Sequence, residues 1–389
     1  MPRLVTGVVW GLLLVVACTP AAAPTQPASP GPTITPVAPT AADTPRATAV
    51  PTPVATAVVA TPPRSVAPAT PTTATTAPPP SALTWTELAP RGGPAAREDH
   101  TWTVAGDGAS AYLFGGRQGR REFNDLWLYD LAGDDWTELQ PTGTAPEPRF
   151  GHTAVWLNGV GLAIWSGQAG TDFFADIWAY DPATNAWREL PGGGDVPPAR
   201  YGSCAGVGPD GRMWISHGFT EDTGRFSDTR AYDFASETWA DLTPSGDRPV
   251  ERCLHDCLWT PDARLLIYAG QTTGAPAIGD LWTYDPSEAT WSQAPTPAPP
   301  ARQLYSLAQL GGTAFVFGGS AADGSALGDL WLLDMAEVSW SEVTPSGTAP
   351  AGRFGATLIA DESRDRLLLF GGKRGDGELG DLWELALAP

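Results

Sequence analysis

Histidine and cysteine are the side chains in this sequence best able to do chemistry, and their spacing brings a metal to mind. His100, His152 and His255 each stand three residues after an arginine: Arg97, Arg149 and Arg252. Imidazole suits zinc, copper, iron and nickel, so three such histidines in matching places could ring an ion. The matching places elsewhere hold Ser203, Tyr305 and Ala356, while His217 sits in another context. Cys204, Cys253 and Cys257 fall within about fifty residues of one another. Serine-nucleophile elbow, phosphate-loop, HExxH and EF-hand signatures are all missing from the sequence.

The elements that must position these residues announce themselves through tryptophan. Leu83-Thr84-Trp85-Thr86-Glu87-Leu88 is an ending that recurs at Trp136, Trp187, Trp239, Trp291 and Trp340, with spacings of 51, 51, 52, 52 and 49 residues. The last unit lacks this ending, and the first ending lacks its unit. The economical solution is a ring in which strand 83–88 completes the C-terminal repeat.

Six aligned units follow. An arginine opens each: Arg97, Arg149, Arg200, Arg252, Arg302 and Arg353. Apolar runs then end in Gly115-Gly116, Ser166-Gly167, His217-Gly218, Ala269-Gly270, Gly318-Gly319 and Gly371-Gly372. An aspartate precedes the next strand in each copy: Asp125, Asp176, Asp228, Asp280, Asp329 and Asp381. Four short runs of aromatic and β-branched residues per unit, separated by Gly, Pro and Asp, make a strand pattern, and no run has helical spacing. Four strands every 51 residues or so suit a propeller blade.

On these residues the chain from Leu83 to its end resembles the kelch β-propellers, whose repeat carries a double glycine and a spaced tyrosine and tryptophan. The fold expected is all-β: a six-bladed kelch propeller over residues 83–389. Departures are local: the first glycine is replaced in three units, Arg230 stands where others have tryptophan, and Leu333 and Leu385 replace tyrosine. These should soften individual blades. The opening arginine and the aspartate are expected to pair or to hold backbone groups between blades, because a motif present in every unit serves packing. The resemblance also implies that histidine three residues after the arginine is a hydrogen-bonded structural residue, so no metal and no cofactor are expected.

Specificity belongs in the loops. In kelch binding domains ligands meet the loops after the double glycine, which begin here at Arg117, Gln168, Phe219, Gln271, Ser320 and Lys373. Arg117, Arg120 and Arg121 of unit one and Lys373 and Arg374 of unit six should converge across the ring closure into a cationic patch for an anion or acidic sugar. Phe173, Phe174, Arg225 and Phe226 add stacking surface and charge nearby. The expected role is a protein- or glycan-binding module. The alternative is a carbohydrate-active enzyme, since some kelch proteins are sugar epimerases or copper oxidases; Cys257, His255 and Tyr305 supply part of an oxidase-like set.

The remaining sequence supplies an address. Arg3, the apolar run Leu4 to Val16 and the small residues before Cys18 read as a signal peptide over residues 1–17. Val15-Val16-Ala17-Cys18 resembles a bacterial lipobox, with Cys18 lipidated and the protein held at the cell envelope, facing outside the cytoplasm. Residues 18–82 are almost wholly Pro, Ala, Thr, Val and Ser, a disordered stalk too poor in large apolar side chains to form a core. Export implies an oxidising setting, which allows a disulfide of Cys204 with Cys253 or with Cys257; the alternative is that these cysteines are buried free thiols. A Cys253–Cys257 bond is disfavoured, because four residues of strand separate the two by about 13 Å. The formal net charge of −20 excludes a dense phosphate-binding face, so no nucleic-acid partner is expected. The protein is expected to be a monomer whose partners are an extracellular protein or glycan and, through its lipid, the membrane.

Overall fold

The alternation of apolar and polar residues becomes strand wherever the chain can bury one face. Thr153–Leu157, for instance, alternates buried and half-buried residues along its length. The computed structural model describes residues 82–294 and 299–388. The expected signal peptide, the lipidated Cys18 and the stalk as far as residue 81 lie outside them.

Six antiparallel sheets follow one plan. In blade 1, Thr101–Val104 is innermost, followed by Ser110–Phe114, Leu126–Asp130 and Asp135–Leu139 at the rim. The inner strands of blades 2 to 5 are Thr153–Leu157, Cys204–Val207, Asp256–Trp259 and Ser306–Leu310. Blade 6 is built from both ends of the folded region. Phe354–Asp361, Arg366–Arg374 and Leu382–Ala388 lead outward to Ala82–Leu88, which pairs antiparallel with Leu382–Ala388 over seven residues. The expected closure is thus present, with Glu87 opposite Trp383. A 3-10 turn at Glu362–Arg364 is the one helical element among the described residues.

Rim edges are covered as the chain passes from blade to blade. Ser346–Gly347 runs parallel to Thr84 and Trp85, Gly193–Gly194 runs beside Thr238 and Trp239, and Thr142 bridges to Ala186. Such straps blunt edges that would otherwise template association.

The core lies between blades. Six apolar clusters each draw on two neighbours; one joins Trp102, Leu113 and Trp136 of blade 1 to Ile359, Leu368 and Phe370 of blade 6. Tryptophans at the rim fill the widening gap, as Trp85 does at 2% exposure beside Phe317. Arg366 adds a polar latch at the closure, bonding Asp361 and Glu384 in its own blade and Leu131 O and Asp134 in blade 1.

Two departures prove compensated. Elsewhere the unit aspartate accepts an indole N–H, as Asp125 does from Trp127 at 2.8 Å. In blade 3 the Arg230 guanidinium donates to Asp228 at the same 2.8 Å and reaches the backbone of Asp195 besides. The blade is therefore not softened there. The first glycine of each pair lies near φ 60°, which Ser166, His217 and Ala269 also adopt, whereas the second lies at φ 91–115°. A Cβ would approach a backbone oxygen within 3 Å at either position, 2.7 Å at Gly115 and 2.8 Å at Gly116, so it is the φ of the second position, beyond the left-handed region that Ser166, His217 and Ala269 occupy, that reserves it for glycine.

Candidate functional site

The opening arginines assemble the site's frame. The main chain of Arg97 belongs to blade 6: its N–H donates to Leu379 O and its carbonyl accepts from Gly372 N–H. Its side chain belongs to blade 1, where the guanidinium donates to Gly115 O and, through both terminal nitrogens, to Asp125 at 2.7 and 2.8 Å. The same rivet recurs with Arg149–Asp176, Arg200–Asp228, Arg252–Asp280, Arg302–Asp329 and Arg353–Asp381, each arginine at most 1% exposed. Planar bidentate geometry is why arginine, not lysine, occupies these places. The motif residues hold blades together, as expected of a repeated element.

Two residues beyond each arginine lies a second ring. Asp99, Gly151, Gly202, Leu254, Leu304 and Gly355 all have φ between 52° and 66°. The N–H of each donates to the carbonyl of its predecessor at 2.8–3.0 Å, and Asp99 N–H closes the circuit on Gly355 O. This closed loop of six hydrogen bonds is the waist of the channel. The side chains of Asp99, Leu254 and Leu304 line the cavities on both sides of it.

Above the waist the post-glycine hairpins surround a cavity of about 690 Å³, lined among others by Arg117, Arg120, Gln168, Tyr201, Gln271 and Gln303. Each hairpin is registered by the residue after the arginine: Glu98 pairs with Arg117, Phe150 with Gln168, Tyr201 with Phe219, Cys253 with Gln271 and Gln303 with Ser320. Arg117 and Lys373 do converge across the closure, but on carboxylates. Arg117 lies 3.1 Å from Glu98 and 3.4 Å from Asp99, and Lys373 lies 3.3 Å from both Glu98 and Glu378. The expected cationic patch is therefore largely neutralised. Burial, reinforced by the Glu98 charge and opposed by Arg117 and Lys373, pushes the Asp99 carboxyl up to about 7.

The cations left without an ion pair among the described residues lie elsewhere. Arg120 faces the mouth, Arg121 stacks on Phe123, and Arg374 is exposed on the blade 6 hairpin. Arg225 donates to the Gln271 side chain at 2.7 Å and lies over the Phe219 ring. Beside it, Phe173, Tyr201 and Phe219 meet in one half-buried cluster with ring centroids 5.8–6.1 Å apart. Gln168 bonds Gly170 O on the same rim. Phe174 and Phe226 do not join them, because they stack on the rivets Arg149 and Arg200 as Phe123 does on Arg97.

Phe150, Tyr201 and Gln303 are mouth residues that sequence reasoning missed. Their signal was available: the position after the opening arginine holds five residue types in six copies, as a loop position does.

His100, His152 and His255 border the channel cavity on the side of the waist away from the hairpins, but each ring is buried against a neighbouring blade, and His217 lies off the channel. His100 packs edge-on against Phe370 and His152 against Phe114, and burial holds all four histidines well below the usual imidazole range. Among the described residues no three His, Cys, Asp or Glu side chains are grouped to hold a metal ion. Of the two disulfides open from sequence, the structure forms Cys204–Cys257 between blades 3 and 4, with Cα atoms 5.6 Å apart; Cys253 stays a buried thiol. Cys257 is thereby spent, which removes the sulfur an oxidase-like Cys–Tyr cross-link with Tyr305 would need.

The KLHDC2/KLHL20/DRC7 Kelch-repeats domain matches residues 79–270 and 246–388. Adagio-like protein 1 of Oryza sativa subsp. japonica is 29% identical over 252 residues, 59% of this chain and 40% of that protein. Leucine-zipper-like transcriptional regulator 1 of Pongo abelii is 29% identical over 227 residues, 54% and 26%. Tip elongation aberrant protein 1 of Schizosaccharomyces pombe is 28% identical over 225 residues, 54% and 19%. The chain spans two fifths or less of the length of these curated relatives.

Proposed function

Because this chain belongs to the kelch-repeat family, whose propellers are in general protein-interaction modules, we propose that it binds an extracellular protein or glycan at the hairpin mouth while a lipid on Cys18 tethers it to the cell envelope. The observation that carries the reading is the asymmetry of the mouth. On its blade 1 and blade 6 side Arg117 and Lys373 are locked to carboxylates, whereas blades 2 to 4 offer half-buried aromatic faces beside Arg225, which has no carboxylate partner among the described residues. Aromatic rings give large rigid contact area, and arginine adds directional donors; both residue types dominate binding hot spots. The stalk composition supports a spacer between membrane and propeller.

The test is a screen of the full chain against a peptide and glycan array, followed by Tyr201→Ala and Arg225→Ala. Loss of a specific signal by tenfold or more in both variants supports the mouth. An array signal untouched by either variant refutes it. Transfer of Cys18→Ser protein from the membrane fraction to the medium tests the tether.

A further inference from the structure

The opposite end of the channel carries a second site. Beyond the waist, away from the hairpins, the inner strands enclose a cavity of about 940 Å³, within the size range of small-molecule pockets. Four residues after each opening arginine, its wall carries Thr101, Thr153, Cys204, Asp256, Ser306 and Thr357.

Five of these six side chains are committed to the wall. Thr101 Oγ1 bonds His152 Nε2 of the next blade at 2.8 Å, Ser306 donates to Ala356 O at 2.8 Å and Thr357 donates to His100 O at 3.0 Å. Thr153 donates to Trp165 O, and Cys204 is bonded to Cys257. Asp256 is the exception. The neighbouring inner-strand side chain, Tyr305, uses its hydroxyl on the Asp256 main chain and on Tyr268 O. The Asp256 carboxylate accepts only the N–H of Cys257, at 2.8 Å, and makes no ion pair among the described residues.

The surrounding electrostatics have one sign. Among the described residues no lysine or arginine lines this cavity; Asp99, Asp107 and Glu362 do. The lining histidines are held neutral by burial. The hydroxyls of Thr153, Ser306 and Thr357 spend their protons on backbone carbonyls, which leaves their oxygens able only to accept, and the carboxylates add further acceptors. A ligand that matches it must bring positive charge and N–H groups.

We propose that the cavity binds a small molecule bearing a primary ammonium group, which Asp256 anchors through a charge-assisted hydrogen bond. The site is separate from the mouth and does not depend on what the mouth binds.

The experiment is calorimetric titration of the full chain at pH 8, where Asp256, pushed up to about 7 by burial, is ionised. The probe is 1,4-diaminobutane, with 1,4-butanediol as its neutral counterpart. The diamine is expected to bind saturably at one site, with no binding of the diol. Asp256→Asn should weaken the diamine about 10- to 100-fold, the range for a hydrogen bond to a charged group. Arg120→Ala, at the other end, should leave it unchanged. Absent or non-saturable diamine binding, equal binding of the diol, or loss of binding in sodium chloride of matched ionic strength overturns the proposal. So does an Asp256→Asn protein that melts normally and still binds the diamine as the wild type does. Should that variant fail to fold, the diamine and diol comparison on the wild type decides alone.

Discussion

Removing the strand Ala82–Leu88 should cost the propeller most of its stability. The strand contributes a full antiparallel ladder to Leu382–Ala388, and it buries Leu83 and Trp85 in the cluster shared by blades 5 and 6. Trp85 alone is 2% exposed, and truncating a tryptophan so placed costs about 3–5 kcal/mol. A folded region of roughly three hundred residues unfolds with an entropy near 0.6 kcal/mol/K, so Trp85→Ala should lower the melting temperature by about 5–8 °C. Deleting 83–88 removes that contact, the ladder and the cover over the Leu382–Ala388 edge together. Its melting temperature should fall well below that of Trp85→Ala, or the transition should lose its cooperativity. Scanning calorimetry on the intact chain and the two variants reads this directly, and a synthetic peptide of residues 82–88 added in excess should restore part of the loss. A deletion variant that melts within a degree of the intact protein would show that the ring does not depend on this strand.

Breaking one rivet, as in Arg252→Met, strands the carboxylate of Asp280 and should cost about 3–5 kcal/mol by urea denaturation. Reducing Cys204–Cys257, which closes a loop of sequence separation 53, should lower stability by up to about 4 kcal/mol, readable as a shift in urea midpoint with and without reductant. Acidification should destabilise the fold. The four buried histidines stay neutral when folded but take protons below about 6.5 once unfolded, whereas Asp99 and Asp256, raised to about 7, act in the opposite sense between about 4 and 7. Four groups against two leaves roughly two protons taken up on unfolding near pH 5.5, a slope of about 2–3 kcal/mol per pH unit; urea midpoints that stay level from pH 7 to pH 5 would contradict this. Asp256→Thr, the residue of three other blades at that position, should raise the melting temperature at pH 8, where it relieves a partly buried charge, and raise it less at pH 5, where the carboxyl is already neutral.

The ring itself was readable because each of its devices is repeated. Six arginines, six aspartates and six second glycines recur at one period, and repetition turns a weak local signal into a strong one. The ring closure followed from counting an ending without its unit. What the sequence did not yield was the partner of each charged side chain. Arg117 and Lys373 were rightly placed together across the closure, yet Glu98 and Glu378, which neutralise them, lie 19 and 5 residues away in sequence and carry no mark of their role. Phe174 looked like Phe173 in sequence, and one residue along the chain separates a mouth side chain from the cover of a rivet. Alternation along an extended strand decides such cases, and it depends on register fixed only when the sheet forms.

Repetition also tells where function can reside. The rivets and the hydrogen-bonded waist satisfy the backbone at six equivalent places with almost no help from the side chains between them. Positions one, two and four residues after each arginine are thereby freed from identical packing duties, and there the copies diverge: Glu98 against Tyr201, Asp99 against Gly151, Asp256 against Thr101. An ionisable or aromatic residue at such a place is not demanded by the blade, and burying the Asp256 carboxyl without a cation works against stability. A residue that costs stability where five neighbours show a cheaper choice is best explained by something it binds. On those grounds the mouth side chains of blades 2 to 4 and the Asp256 carboxylate below the waist are proposed as the two binding sites of this propeller.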